Sequence, residues 1–96
     1  MKEKPLISRK VTIKNPTGLN LRPAGLFCKT AMNYVSHITF KKKGNGEDIT
    51  ANAKSVLSVL GASVRGGEEI ELICEGVDQE KAMDGMIQII EEGLGE

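Results

Sequence analysis

The sequence predicts an α+β fold, a four-stranded antiparallel sheet covered on one face by three helices in the order β-α-β-β-α-β-α. Three observations predict it. Four short stretches alternate apolar and polar residues, and three longer ones repeat apolar residues at helical spacing. Each stretch has one apolar side only, which suits a sheet open to water on one face and packed under helices on the other.

The first strand is expected from Ser8 to Lys14, with Arg9, Val11 and Ile13 on one face and Lys10, Thr12 and Lys14 on the other. Asn15-Pro16-Thr17-Gly18 stops it, because proline and glycine interrupt strands. The first helix is expected from Leu21 to Val35, its apolar side made by Ala24, Phe27, Cys28, Ala31, Tyr34 and Val35. Asn20 stands at its cap position, and Pro23 falls in the first turn, where a missing N–H costs nothing. The second strand, His37 to Lys41, points Ile38 and Phe40 inward. Asn45-Gly46, a strong hairpin signal, turns the chain into a short third strand from about Glu47 to Ala51. A short helix is expected from Lys54 or Ser55 to about Val64, closed by Gly66-Gly67. The fourth strand, Glu68 to Glu75, buries Ile70, Leu72 and Cys74. Asp78 is the candidate cap of a last helix from Gln79 to about Glu92, which presents Ala82, Met83, Met86, Ile87 and Ile90.

Ninety-six residues make a single domain, residues 1–96, able to bury roughly 60–65% of the surface its unfolded chain exposes. Thirteen basic residues balance thirteen acidic ones, which argues against direct nucleic-acid binding. No apolar run approaches the roughly 20 residues of a membrane span, and no signal-peptide core follows the N-terminus, so the expected location is the cytoplasm. Cys28 and Cys74 lack metal-ligand spacing and are expected as buried small hydrophobes. No cofactor and no metal site are expected.

Two helix starts carry the functional signal. In Thr17-Gly18-Leu19-Asn20-Leu21-Arg22-Pro23-Ala24-Gly25 a glycine turn enters a helix with an arginine in its first turn. Free N–H groups, the positive end of the helix dipole and a guanidinium fork suit an anion there. At the second helix, Ser55 is a candidate N-cap, and Val56, Leu57, Val59, Leu60, Ala62 and Val64 are more apolar residues than one face of a short helix can bury.

The stretch Gly18-Leu19-Asn20-Leu21-Arg22-Pro23-Ala24 resembles the active-site signature of the histidine-containing phosphocarrier (HPr) proteins of bacterial sugar phosphotransferase systems. Lys54-Ser55-Val56-Leu57-Ser58-Val59-Leu60-Gly61 resembles that family's regulatory-serine segment, and Glu92-Gly93-Leu94-Gly95-Glu96 is similar to its usual ending. The resemblance covers essentially the whole chain and implies the HPr-like open-faced β-sandwich. It also implies that Asn20 occupies the position of the phosphoacceptor histidine. A carboxamide nitrogen, its lone pair delocalised, neither attacks nor holds a labile phosphoryl group, whereas an imidazole does both. The lone His37 lies beyond the whole first helix from Arg22, roughly 20 Å away, and cannot easily substitute.

By the same resemblance, a serine kinase/phosphorylase would modify Ser55. Val56, Leu57 and Leu60 would belong to an exposed docking patch, with Arg22 and Asn20 as anion or partner contacts. Ser58 replaces a glycine frequent at its position. The expectation closest to these residues is a non-enzymatic regulatory protein of carbon catabolite control, of the histidine-lacking HPr-like type. Its partners would be that kinase, a catabolite-control repressor, and enzyme I or transporter components. The alternatives are a phosphocarrier using some other acceptor, and an unmodified decoy that occupies phosphotransferase components.

Overall fold

The structure, a computed structural model, describes residues 5–96; residues 1–4 of the expected 1–96 domain lie outside the described residues. Its elements follow the expected order: β1 (Ile7–Thr12), α1 (Leu21–Ala31), β2 (His37–Lys42), β3 (Ile49–Asn52), α2 (Val56–Gly61), β4 (Glu69–Glu75) and α3 (Gln79–Glu91). The strands form one antiparallel sheet in the order β1-β4-β2-β3. β4 therefore lies in the interior, and its Ile70, Leu72 and Cys74 are all buried under the helices. The opposite face carries charge. Lys10, Glu71 and Lys41 stand side by side across three strands, a cross-strand row of alternating sign.

The core joins both layers. Phe27 of α1 meets Phe40 of β2 edge to face, with ring centroids 5.5 Å apart and planes at 85°. Ile13, Met86, Ile90 and Leu94 belong to the same buried cluster. Cys74 is buried, and burial pushes its thiol up to about 11, with the Asp78 charge adding to the effect. Cys28 departs from expectation by being only half-buried.

α1 ends four residues earlier than its apolar spacing implies. Its last amides tighten: Met32 donates to the Cys28 carbonyl, then Asn33 and Tyr34 reach only to Thr30 and Ala31. The next two amides leave the helix altogether. Val35 and Ser36 both donate to the Asp78 carboxylate at 3.0 Å, and the Ser36 hydroxyl joins them. Val35 is thus 74% exposed rather than on the apolar side. Asp78, expected as the cap of α3, makes no side-chain bond to its own helix. Gln79 closes that corner instead, its side-chain oxygen accepting from the Gly76 amide at 3.0 Å.

α2 also stops short, at Gly61 rather than Val64, because Ser63 takes a left-handed conformation (φ 53°). Lys42 holds that end, its ammonium 2.7 Å from the Ser63 carbonyl and 3.3 Å from that of Ala62. Glu68 pairs with the same ammonium at 3.1 Å. Its carboxyl is held below the usual range first by the Arg65 amide and then by Lys42. In the hairpin, Lys42 faces Ile49, so Asn45-Gly46 sits at the tip of the connection 43–48, a longer loop than a two-residue turn.

α3 contains Gly85, and the Tyr34 ring fills the notch that its missing side chain leaves. A Cβ on Gly85 would overlap the Tyr34 hydroxyl and stand 2.9 Å from its Cζ. Alanine is favoured over glycine in a helix by about 1 kcal/mol, but forced overpacking costs about 1–3 kcal/mol. Gly85→Ala is therefore expected to lower stability in urea titrations, and Tyr34→Phe, which removes the overlapping oxygen, to restore part of the loss.

The Asp78 corner makes stability depend on acid. The Ser36 hydroxyl is the largest cause holding the carboxyl below its ordinary 3.8; partial burial opposes it, and the Val35 and Ser36 amides add to the lowering. A carboxylate with a depressed folded-state pKa stabilises above its unfolded value and loses that contribution as pH falls through the folded one. Asp78→Asn is expected to lower the melting temperature at pH 7 and to flatten its decline below pH 4. Calorimetric melts across pH 2–7 measure both, with the Glu68 share of the decline left in place.

Candidate functional site

α1 and α2 pack against each other and point in opposite directions. The start of α1 lies by the end of α2, where the Leu19 amide donates to the Val64 carbonyl at 2.9 Å. The start of α2 lies by the end of α1, where the Lys54 ammonium reaches the Tyr34 carbonyl at 2.6 Å. Asn20 and Ser55 are therefore at opposite ends of the pair, separated along the axis by the six residues of α2, about 9 Å.

At the first of these ends the turn 15–18 is fastened from inside. Asn15 is buried, and its Nδ2 donates to the Gly18 carbonyl at 2.8 Å and to Thr17 Oγ1 at 3.1 Å. Its Oδ1 is buried with no partner among the described residues. Gly18 has φ 68° and lies against the Val64–Arg65 backbone, where a Cβ would stand 2.7 Å from Arg65 Cα. No other residue fits both demands. Asn20 follows in extended conformation; its Oδ1 accepts from the Leu21 amide at 2.9 Å, and its carbonyl accepts from Ala24 at 2.7 Å. It caps α1 as expected. Its side chain is exposed beside a shallow depression lined by Thr17, Leu19, Leu60, Ser63, Val64 and Arg65. Arg22 is exposed in the first turn, which holds no acidic residue. Thr17 Oγ1 also donates to Glu96 Oε1, bringing the acidic end of the chain to this turn.

At the other end Ser55 is half-buried. Its Oγ accepts from the Ser58 amide at 3.2 Å, and its carbonyl accepts from Val59 at 2.9 Å, the bonds of an N-cap. No acidic residue stands in the first turn of α2 to offset the positive end of that helix. Ser58 ties the same corner down, its Oγ accepting from the Asn52 amide at 2.8 Å.

The apolar residues of α2 divide. Val59, Ala62 and Val64 are buried, while Val56 and Leu60 pack half-buried against the core. Leu57 is 78% exposed, and Leu21 of α1 is 69% exposed. The expected patch of Val56, Leu57 and Leu60 thus has one projecting member, to which the structure adds Leu21. Arg65, Ser63 and Asn15 were not singled out in the sequence. Asn15 could be suspected from its place before Pro-Thr-Gly; Arg65 is brought to Asn20 only by the return of α2. His37 is exposed on β2, which begins after the turn that follows α1. Among the described residues no group of three His, Cys, Asp or Glu side chains could hold a metal ion, and no helix is long and apolar enough to cross a membrane.

A family model described as the PTS HPr component phosphorylation site matches residues 7–92. The HPr-like protein Crh of Halalkalibacterium halodurans is 36% identical over 86 residues, covering 90% of this chain and 98% of its own. The phosphocarrier protein HPr of Streptomyces coelicolor is 34% identical over 91 residues, 95% of each chain. The crystal structure of HPr-C-His from Thermoanaerobacter tengcongensis superposes with a TM-score of 0.82 at 34% identity, over 94% of this chain and 97% of that one. The fold, the two helix starts and the span of these matches agree: the chain belongs to the HPr family of the phosphotransferase system.

Proposed function

We propose that this chain is an HPr-like regulatory protein without a phosphoacceptor histidine, Asn20 standing in that position, and that phosphorylation of Ser55 switches it. It acts by docking on proteins of carbon catabolite control in the cytoplasm, as a substrate of a serine kinase/phosphorylase rather than as an enzyme. Its modified form binds a catabolite-control repressor, and enzyme I or transporter components are further partners.

The observation that carries this reading is the contrast between the two helix starts. Asn20 offers an amide already engaged in capping α1, and an amide is no phosphoryl carrier. Ser55 offers a hydroxyl at a helix start with no competing carboxylate in the first turn and with Leu57 projecting two residues on. In a kinase, Ser55 Oγ would form its bond to the γ-phosphorus of ATP as the bond to ADP breaks and the hydroxyl proton leaves. The resulting charge of about −1.5 to −2 is favourable at a helix N-terminus, so the modification alters the surface without melting α2. Two relatives named as Crh support the regulatory reading. Relatives named as phosphocarriers keep a second one in view, a carrier with some other acceptor.

Two tests follow. Incubation with the serine kinase and ATP is expected to add one phosphate at Ser55, and incubation with enzyme I and phosphoenolpyruvate to add none. Peptide mass spectrometry reads both; an acid-labile adduct from the second donor would favour the carrier. Ser55→Ala is expected to abolish the first adduct and to cost about 1 kcal/mol for the lost cap. Leu57→Asp is expected to weaken repressor binding by the modified protein at least tenfold in calorimetric titration, with little change in stability because the side chain is exposed. Unchanged affinity would move the docking surface away from α2. A decoy that needs no modification would bind its target equally with Ser55→Ala.

A further inference from the structure

Lys54, the residue before Ser55, directs its ammonium to a neutral acceptor, the Tyr34 carbonyl at 2.6 Å. That carbonyl belongs to the turn 32–36 that ends α1. The amides of the turn are taken by carbonyls of α1 and by the Asp78 carboxylate, and Lys54 closes it from the α2 side. The same turn displays Met32 and Val35, 63% and 74% exposed. The Lys54–Tyr34 bond is already charge-assisted through its donor, but a phosphate dianion exceeds a backbone carbonyl in charge by almost two units. The flexible four-carbon stem of lysine lets its head exchange partners without moving the backbone.

We propose that Lys54 is a two-position cation. It rests on the Tyr34 carbonyl while the Ser55 hydroxyl is free and is drawn onto the phosphate when Ser55 is esterified, which loosens the turn carrying Met32 and Val35. This rests on the reading of Ser55 as a phosphorylation site and adds a consequence to it. A partner selective for the modified form meets an altered end of α1 as well as a new charge on α2.

The test uses full-length protein with phosphoserine installed at position 55 during translation, so no kinase is required. Nuclear magnetic resonance reads the Tyr34 carbonyl and Lys54 ammonium resonances and the hydrogen exchange of the Tyr34, Val35 and Ser36 amides. With Lys54 in place, phosphoserine is expected to shift both resonances and to speed exchange at those amides several-fold. The unmodified Lys54→Met protein is expected to show the same Tyr34 shift, and phosphoserine in that background to move Tyr34 no further. Lys54→Leu, which also lacks a donor, serves should the methionine variant fold poorly. Identical Tyr34 signals with and without phosphoserine overturn the proposal, as does a phosphoserine effect that persists without Lys54. A kinase that leaves Ser55 unmodified would sink the regulatory reading while this result stood.

Discussion

Leu19 gives its amide to the Val64 carbonyl at 2.9 Å, and that bond depends on Gly18 lying against the backbone of the α2–β4 connection. Glycine satisfies the positive φ and the absence of space together. Asn15 fastens the turn from beneath, and Lys42 holds the other wall by gripping the Ala62 and Ser63 carbonyls. The direction in which α1 leaves the sheet, the antiparallel placement of α2 beside it, and the exposure of both helix starts follow from this junction. A side chain at position 18 would separate the two walls and unseat Asn20 from the depression beside it.

This arrangement separates capping from chemistry. A helix start needs an oxygen on its first free amides, and asparagine supplies one at Asn20 as serine does at Ser55. Neither the cap nor the junction requires a nucleophile at position 20. The fold can therefore persist with asparagine at this helix start, while the second helix start carries a hydroxyl, the group on which the proposed switch rests. Because the two starts lie at opposite ends of the α1–α2 pair, a change at one leaves the geometry of the other in place.

What could be read from the sequence is what depends on neighbours along the chain. Alternation in Glu68–Glu75 was enough to place Ile70, Leu72 and Cys74 in the core, and Asn20 and Ser55 were legible as caps from their positions before apolar runs. Misreadings arose where a distant residue competed for backbone groups. Apolar spacing carried α1 on to Val35, but Asp78, 43 residues away in sequence from Val35, takes the Val35 and Ser36 amides and ends the helical run. Asp78 was read locally as a cap for the same reason. Lys42 carried no signal in the sequence, and only the returning chain shows it holding the end of α2 and pairing with Glu68. The exposed apolar surface of α2 was half legible: more apolar residues than one face could bury were present, but periodicity could not tell that Val56 and Leu60 would lean on the core while Leu57 projected.

If docking runs through α2 as proposed, the exposure of Leu57 and Leu21 also constrains how a partner is recognised. Two large apolar side chains on separate helices offer little area, so affinity for a partner must come largely from charge and hydrogen bonding around them. Arg22 and Arg65 flank one end of the helix pair and Lys54 the other, with no acidic residue in the first turn of either helix. In the unmodified state the basic side chains at the first end share it with the Glu96 carboxylate that Thr17 holds there, while Lys54 stands at the other. A phosphate on Ser55 would reverse the sign at one end only, leaving the arginines at the other, and the same apolar contacts would then be presented in a polarised field. Discrimination between partners would follow from which end each one reads, since like charges placed together at the rim exclude the wrong one.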